Sequence, residues 1–143
     1  AEIAAELGDG LFAAEPKPEL VRAYRRAGGA GPRYIEVGVA FAGDEQAGAE
    51  AALSTNRWSV GGWKTMSELP NPANFAAATT TVRVEDMREA MVCGNDPQRY
   101  LDAVREAVEA GYDRVVLMNA GPDMDAFLDF YAGELDALLR ARI

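Results

Sequence analysis

The chain has 143 residues, 49% of them hydrophobic, and a formal charge of −9 from 23 acidic and 14 basic side chains. This length allows one sizeable core, so a single domain is expected. The acidic balance excludes nucleic acid and anionic membranes as expected partners, and no apolar run is long enough to span a bilayer. The single Cys93 leaves no internal disulfide and predicts a reducing, cytoplasmic location.

The chain opens inside a helical pattern at Ala1, with no residue ahead of it to cap the helix. Ile3, Ala4 and Leu7 fall on one predicted helical face, and Gly8 is expected to end the helix in a left-handed conformation. Because a domain seldom begins in the middle of a helix, we expect the sequence to be a fragment of a longer polypeptide.

Three later segments have the patterns of short strands, at residues 10–14, 34–42 and 114–119. The second segment alternates a bulky row with a mostly small row. The bulky row is Ile35, Val37, Val39 and Phe41, and the small row is Glu36, Gly38, Ala40 and Ala42. In a barrel, the bulky row would pack against outer helices and the small row would face the interior.

Helical patterns follow each predicted strand. They cover residues 19–27 and 45–56, a segment that begins at Pro97 and stops before Gly111, and a terminal segment that begins after Asp123. The stripe predicted for the terminal helix is Met124, Phe127, Leu128, Tyr131, Leu135 and Leu138. Residues 61–84 are too long and irregular for an ordinary connection and are interpreted as an insertion.

Alternating strands and helices predict an α/β fold with parallel strands. Three parallel strands would leave both edges of a sheet open. We therefore expect either a homodimer or association with a missing part of the same polypeptide.

Several motifs together resemble one enzyme family. Residues 4–11 read AAELGDGL, residues 94–97 read GNDP, and residues 109–115 read EAGYDRV. With Gly121-Pro122-Asp123 near the end, these resemble the second barrel half of the luciferase-like monooxygenase family. Trp58, the GW pair at residues 62–63 and the ELPNP segment at residues 68–72 are similar to an insertion of its F420-dependent members.

This resemblance implies that residues 1–143 form a single partial domain, the C-terminal half of a (β/α)8 TIM-type barrel with an insertion at residues 61–84. It further implies an oxidoreductase that transfers hydride between coenzyme F420 and a small organic substrate. In the family, the catalytic residues lie mostly in the first barrel half, so no catalytic residue is expected in this chain, which should be inactive alone. An FMN-dependent monooxygenase is one alternative, and a non-catalytic half-barrel that self-associates or complements a partner is another.

The resemblance also suggests binding residues. Lys17 and Lys64 match two phosphate-binding lysines of the family's sugar-phosphate dehydrogenases, and two ammonium groups suit one phosphate. Both could equally be solvated loop lysines. The third basic position of that subgroup is Ala90 here, which weakens the expectation of a sugar-phosphate substrate.

Other residues are open to two interpretations. Asn119, at the end of the last predicted strand, would contact a ligand or cap the following turn. Glu36 would point into the barrel for acid–base work or, as we rather expect near the start of its strand, pair with Arg33 or Arg114. Trp58, Trp63 and Phe75 would cover a ring cofactor or, more commonly, pack the insertion itself, and Cys93 is expected in the core. No set of side chains has metal-ligand spacing, so no metal site is predicted.

Overall fold

Strands and helices alternate along the chain in a computed structural model that describes residues 1–143. The strands are β1 (Leu11–Ala13), β2 (Arg33–Ala40), β3 (Val92–Cys93) and β4 (Arg114–Asn119). The helices are α1 (Glu2–Leu7), α2 (Pro18–Arg26), α3 (Glu45–Asn56), α4 (Trp63–Met66), α5 (Pro72–Ala78), α6 (Val84–Ala90), α7 (Pro97–Glu109), α8 (Met124–Phe130) and α9 (Asp136–Arg142). None of them is long and apolar enough to cross a membrane.

Strand β2 pairs with each of the other three strands. Its pairings with β1 and with β3 are parallel. Two hydrogen bonds give β4 the same direction, because Asp113 N–H donates to the Arg33 carbonyl and, farther along both strands, Ala120 N–H donates to the Val39 carbonyl. The predicted parallel α/β fold is therefore confirmed. The two-residue strand β3 and helix α6 were not predicted.

The chain divides into two compact units, and the first contains residues 1–37, 97–118 and 133–143. Its core lies where β1 and β2 meet α2 and α7. The buried residues of that core are Leu11, Ala13, Val21, Tyr24, Ile35, Ala107 and Tyr112. Ile35, from the bulky row of β2, is completely buried here. The prediction that this row packs against helices holds at this residue.

The first helix differs from its prediction. Ala4 and Ala5 pack against the core, whereas Ile3 and Leu7 are 74% and 80% exposed. Gly8 follows the helix with φ −111° and ψ 160°, an extended conformation, so the predicted left-handed cap is wrong. A side chain at Gly8 would still meet the Ala4 carbonyl oxygen at 2.9 Å, so close approach of the backbone accounts for the glycine.

The second unit contains residues 38–96 and 119–132. Its core is built mainly from small residues and methionines: Ala40, Ala49, Ala52, Met87, Met91 and Cys93. Helix α3 lies directly on the strand backbone, because a side chain at Gly48 would approach the Ala40 carbonyl oxygen to 2.4 Å. Cys93 is 1% exposed, which confirms its predicted place in the core.

The predicted insertion carries short helices. A 3-10 helix (Arg57–Gly61) continues from α3, and α4 and α5 follow. Asn71 begins α5 by accepting a hydrogen bond from Asn74 N–H at 3.2 Å, and Pro72 occupies the first turn.

The terminal helix is interrupted by a π-helical segment (Tyr131–Leu135) between α8 and α9. Its predicted stripe was partly wrong, because Met124 and Leu128 are 51% and 54% exposed while Phe130, outside the stripe, is buried. These residues all lie in α8, ahead of the π-helical segment, and the buried face of α8 is the i,i+3 pair Phe127 and Phe130, offset from the predicted stripe.

Candidate functional site

Lys17 lies between β1 and α2, as the residue that immediately precedes the helix. Its ammonium forms an ion pair with the Glu15 carboxylate, and just over half of each side chain is exposed. The hydrogen bond from Lys17 to Glu15 and the negative charge of Glu15 raise the pKa of the lysine above its ordinary value. The ammonium is thus charged and accessible, and its binding of a phosphate stays a prediction.

Lys64 lies on α4 and is also exposed. It belongs to the second compact unit, whereas Lys17 belongs to the first. That the two ammonium groups share one anionic ligand therefore remains a prediction.

Asn119 is the last residue of β4, and its side chain caps the turn that follows. The Oδ1 atom accepts hydrogen bonds from Phe41 N–H and from Gly121 N–H, both at 2.9 Å. Two backbone donors on one atom identify that atom as the amide oxygen. The Nδ2 atom is buried and has no hydrogen-bond partner. The turn-capping interpretation is confirmed, and a ligand contact of Asn119 stays a prediction.

Arg33 pairs with Asp113 rather than with Glu36, so the predicted ion pair of Glu36 was wrong. The Arg33 backbone N–H and Nη2 donate to the two carboxylate oxygens of Asp113 at 3.0 and 2.5 Å. Arg33 Nε donates to the Gly111 carbonyl at 2.9 Å. Arg114 Nη1 donates to the Asp113 carbonyl at 3.0 Å, so neither arginine pairs with Glu36, and Arg33 and Asp113 form a structural clamp.

Tyr112 is buried beside that clamp, with 2% of its surface exposed. Its hydroxyl donates to the Glu15 carbonyl at 3.3 Å. Burial raises the pKa of Tyr112, and the charges of Glu19 and Glu15 raise it further. The buried ring and its hydrogen bond to the backbone indicate a structural residue.

An open cleft of about 580 Å³ lies in the second unit, against the insertion. Its lining residues are Ser54, Thr55, Arg57, Trp58, Leu69, Pro70, Asn71, Pro72, Phe75, Ala76 and Thr79. Two of the three aromatic residues discussed for the insertion, Trp58 and Phe75, thus face a shared cavity, whereas Trp63 is 79% exposed. Arg57, which also lines the cleft, was not among the residues singled out from the sequence.

Residues that could supply catalysis are scarce in this chain. It contains no histidine, and no group of three Cys, Asp or Glu side chains is placed to hold a metal ion. Lys17 pairs with Glu15, Arg33 pairs with Asp113, and Asn119 Oδ1 caps a turn.

Comparison with known sequences finds relatives of one class. No protein-family model matches the chain. It is 26% identical over 116 residues to the F420-dependent glucose-6-phosphate dehydrogenase of Rhodococcus erythropolis and 24% identical to that of Nocardia farcinica. Each match covers 76% of this chain and 32% of the relative, so the match spans about a third of the length of these enzymes.

Solved structures of the same cofactor class share the fold. An F420-dependent secondary alcohol dehydrogenase in complex with an F420–acetone adduct superposes with a TM-score of 0.70 at 19% identity, covering 96% of this chain and 45% of that chain. The coenzyme F420-dependent tetrahydromethanopterin reductase from Methanopyrus kandleri superposes with a TM-score of 0.67 at 18% identity. That match covers 96% of this chain and 47% of the reductase chain. The chain thus has the α/β fold of these enzymes, and its distant homologues are F420-dependent oxidoreductases.

Proposed function

We propose that this chain is the C-terminal half of an F420-dependent oxidoreductase of the luciferase-like family, which transfers hydride to or from a small organic substrate. The observation that carries the proposal is the agreement of two comparisons on one cofactor class. The sequence match to the Rhodococcus enzyme covers 76% of the chain but 32% of the relative, and the structural match covers 96% of the chain but 45% of the dehydrogenase. The remaining part of such an enzyme would hold the catalytic core.

An uncovered sheet face in the first unit supports a half-barrel. Phe12 of β1 and Tyr34 of β2 stack with ring centroids 6.4 Å apart, yet they remain 61% and 37% exposed. Val116 of β4 is 43% exposed. Large apolar patches are rare on monomers, and the interior of a closed barrel is filled with side chains. The missing barrel half is the cover that we propose for this face.

Coenzyme F420 supplies hydride chemistry when bound, and the protein supplies orientation and charge. This chain offers three groups for that purpose. The exposed ammonium groups of Lys17 and Lys64 suit anionic parts of a cofactor or substrate, and the Asn119 Nδ2 donor lacks a partner. We assign no residue of this chain to proton transfer. We therefore propose that the catalytic groups lie in the N-terminal half of the barrel.

The substrate is proposed only as a small organic molecule. The relatives in Rhodococcus and Nocardia are named for glucose 6-phosphate. This chain has alanine at position 90, where the resemblance would place a third basic residue. Because only Lys17 and Lys64 of the three basic positions are present, we do not propose a sugar phosphate as the substrate.

The test compares the full polypeptide that contains this sequence with the 143-residue chain. Each is titrated with coenzyme F420 and with FMN to measure binding. Turnover is then followed by the loss of F420 absorbance when glucose 6-phosphate or a secondary alcohol, the substrates in the relatives' names, is supplied as hydride donor. We expect the full polypeptide to bind F420 and turn it over, and the short chain to show no turnover. Without the missing half, proximity and orientation, which contribute about 7–11 kcal/mol in good cases, are lost.

Each other outcome favours a different reading. Turnover by the 143-residue chain would place the catalytic core here and overturn the half-barrel proposal. A full polypeptide that binds FMN but not F420 would be a monooxygenase candidate. Binding of neither cofactor would leave a non-catalytic half-barrel module.

A further inference from the structure

The cleft of the second unit has the size and walls of a ligand site. Its volume of about 580 Å³ falls within the range of about 300–1,000 Å³ that is usual for small-molecule pockets. The end of α3, the 3-10 helix and α5 form its walls. All of these elements belong to one compact unit.

Arg57 is the cationic group of the cleft. Its side chain is partly buried and makes no hydrogen bond or ion pair. The three hydroxyl groups nearby are already used: Ser54 and Thr55 donate to the Ala51 carbonyl at 2.8 and 3.0 Å, and Thr79 donates to the Phe75 carbonyl at 2.8 Å. The guanidinium therefore keeps its donors available for a ligand.

No carboxylate lines the cleft, although the chain has 23 acidic residues and a charge of −9. An anion would be repelled over most of such a surface and attracted at this position. A guanidinium binds a carboxylate or a phosphate through two parallel hydrogen bonds, so an anionic group of that geometry matches Arg57.

The remaining walls favour a flat apolar body. Trp58 and Phe75 supply aromatic surface, and Leu69, Pro70 and Pro72 supply aliphatic surface. Trp58 keeps 45% of its surface exposed, so its ring is open to stacking.

We propose that this cleft binds a small organic anion, an aromatic ring system that bears one carboxylate or phosphate. The anionic group pairs with the Arg57 guanidinium, and the ring packs on Trp58 and Phe75. The inference uses residues 54–79 alone and does not rest on the proposed oxidoreductase function.

The test uses the 143-residue chain with Trp63→Phe, which leaves Trp58 as the single tryptophan reporter. Naphthoate and naphthyl phosphate are titrated while Trp58 fluorescence is followed, with neutral naphthamide and inorganic phosphate as controls. We expect both naphthyl anions to quench the fluorescence saturably. Naphthamide and inorganic phosphate should each bind on the order of tenfold more weakly, because each lacks one half of the recognised structure.

Arg57→Gln should weaken naphthoate binding by about tenfold or more, since a charge-assisted pair is lost. Arg88→Gln, the same charge change on α6 of the same unit, should leave it unchanged. Arg57→Lys is a second variant, which keeps the charge but loses the fork geometry and should bind with intermediate affinity. Far-UV circular dichroism checks that each variant is folded.

Two results would overturn the proposal. Naphthoate and naphthyl phosphate that leave Trp58 fluorescence unchanged would show that the cleft takes no such ligand. Equal naphthoate affinity in the parent, Arg57→Gln and Arg57→Lys would show apolar adsorption without anion recognition.

Discussion

The side chain of Asn119 holds the backbone of Phe41, whose N–H donates to Oδ1 at 2.9 Å while Gly121 N–H donates to the same atom at 2.9 Å. Asn119→Ala would leave two backbone donors without their acceptor. An unsatisfied buried donor costs about 1–3 kcal/mol, so we expect a loss of that order or more in the free energy of unfolding, measured by urea denaturation.

Asn119→Asp is the matched control for this prediction. Its carboxylate can still accept both hydrogen bonds, and the orphaned Nδ2 donor disappears. We expect it to retain more stability than Asn119→Ala near neutral pH. An equal loss in the two variants would mean that the two hydrogen bonds are not the stabilising feature.

The clamp between Arg33 and Asp113 gives the second prediction. Asp113→Ala removes both contacts with Arg33, whose side chain is only 18% exposed. We expect a loss of about 1–3 kcal/mol in the free energy of unfolding, because a partly buried charge loses its partner. Asp136→Ala breaks an exposed pair with Arg140 on α9 and should cost about 0.5 kcal/mol or less. Similar losses in the two variants would contradict a special role of the clamp.

The fold was largely predictable because its signals are local. Pro97 in the first position of α7 and the side chain of Asp44 at the start of α3 mark real helix starts. The alternation of bulky and small residues predicted strand β2 and which of its faces packs against helices. The partner of Arg33 was not predictable, since Asp113 lies 80 residues away and only the pairing of β2 with β4 brings the two side chains together.

The candidate site was predictable only in part. Asn119 was predicted as a site residue because it ends a strand. The sequence did not distinguish a turn cap from a ligand contact, because the difference depends on which backbone N–H groups reach Oδ1. Arg57 was missed because the cleft arises from the packing of the 3-10 helix and α5, which leave no periodic pattern.

Tyr112 predicts a fall in stability at alkaline pH. Burial raises the pKa of its hydroxyl above the ordinary value of 10.0. Above pH 10 the unfolded chain therefore releases a proton that the folded chain keeps, and the free energy of unfolding contributed by this group decreases as pH rises. Tyr112→Phe should show a smaller decrease between pH 9 and about pH 11 in urea titrations. Tyr131→Phe, at a 37% exposed position, is the control and should follow the parent.

The lysines predict ligand binding in the full polypeptide. Lys17→Ala and Lys64→Ala should each weaken an anionic ligand by roughly tenfold, because a charge-assisted hydrogen bond is lost. Exposed charges contribute little to folding, so the free energy of unfolding should stay close to that of the parent. Calorimetric titration with inorganic phosphate and with coenzyme F420 measures the first quantity. Unchanged affinity in both variants would leave two solvated loop lysines.

The uncovered sheet face of the first unit predicts that the 143-residue chain associates. Phe12, Tyr34 and Val116 expose apolar side chains there, and β1 is hydrogen-bonded to β2 alone. Both the apolar surface and the open strand edge favour a second copy, or the N-terminal half that we propose, as a cover. Light scattering at micromolar concentration should therefore detect dimers or larger species.

Phe12→Lys tests whether this face is the cause of association. It places a charge on the edge strand, which opposes pairing, and should shift the population towards monomer. Leu128→Lys introduces the same charge at a 54% exposed position of α8 in the second unit and should leave the association unchanged. Urea midpoints of both variants separate loss of association from loss of folding. A parent chain that stays monomeric at these concentrations would show that the face of Phe12 and Tyr34 needs no cover, and would remove one of the two supports of the half-barrel proposal.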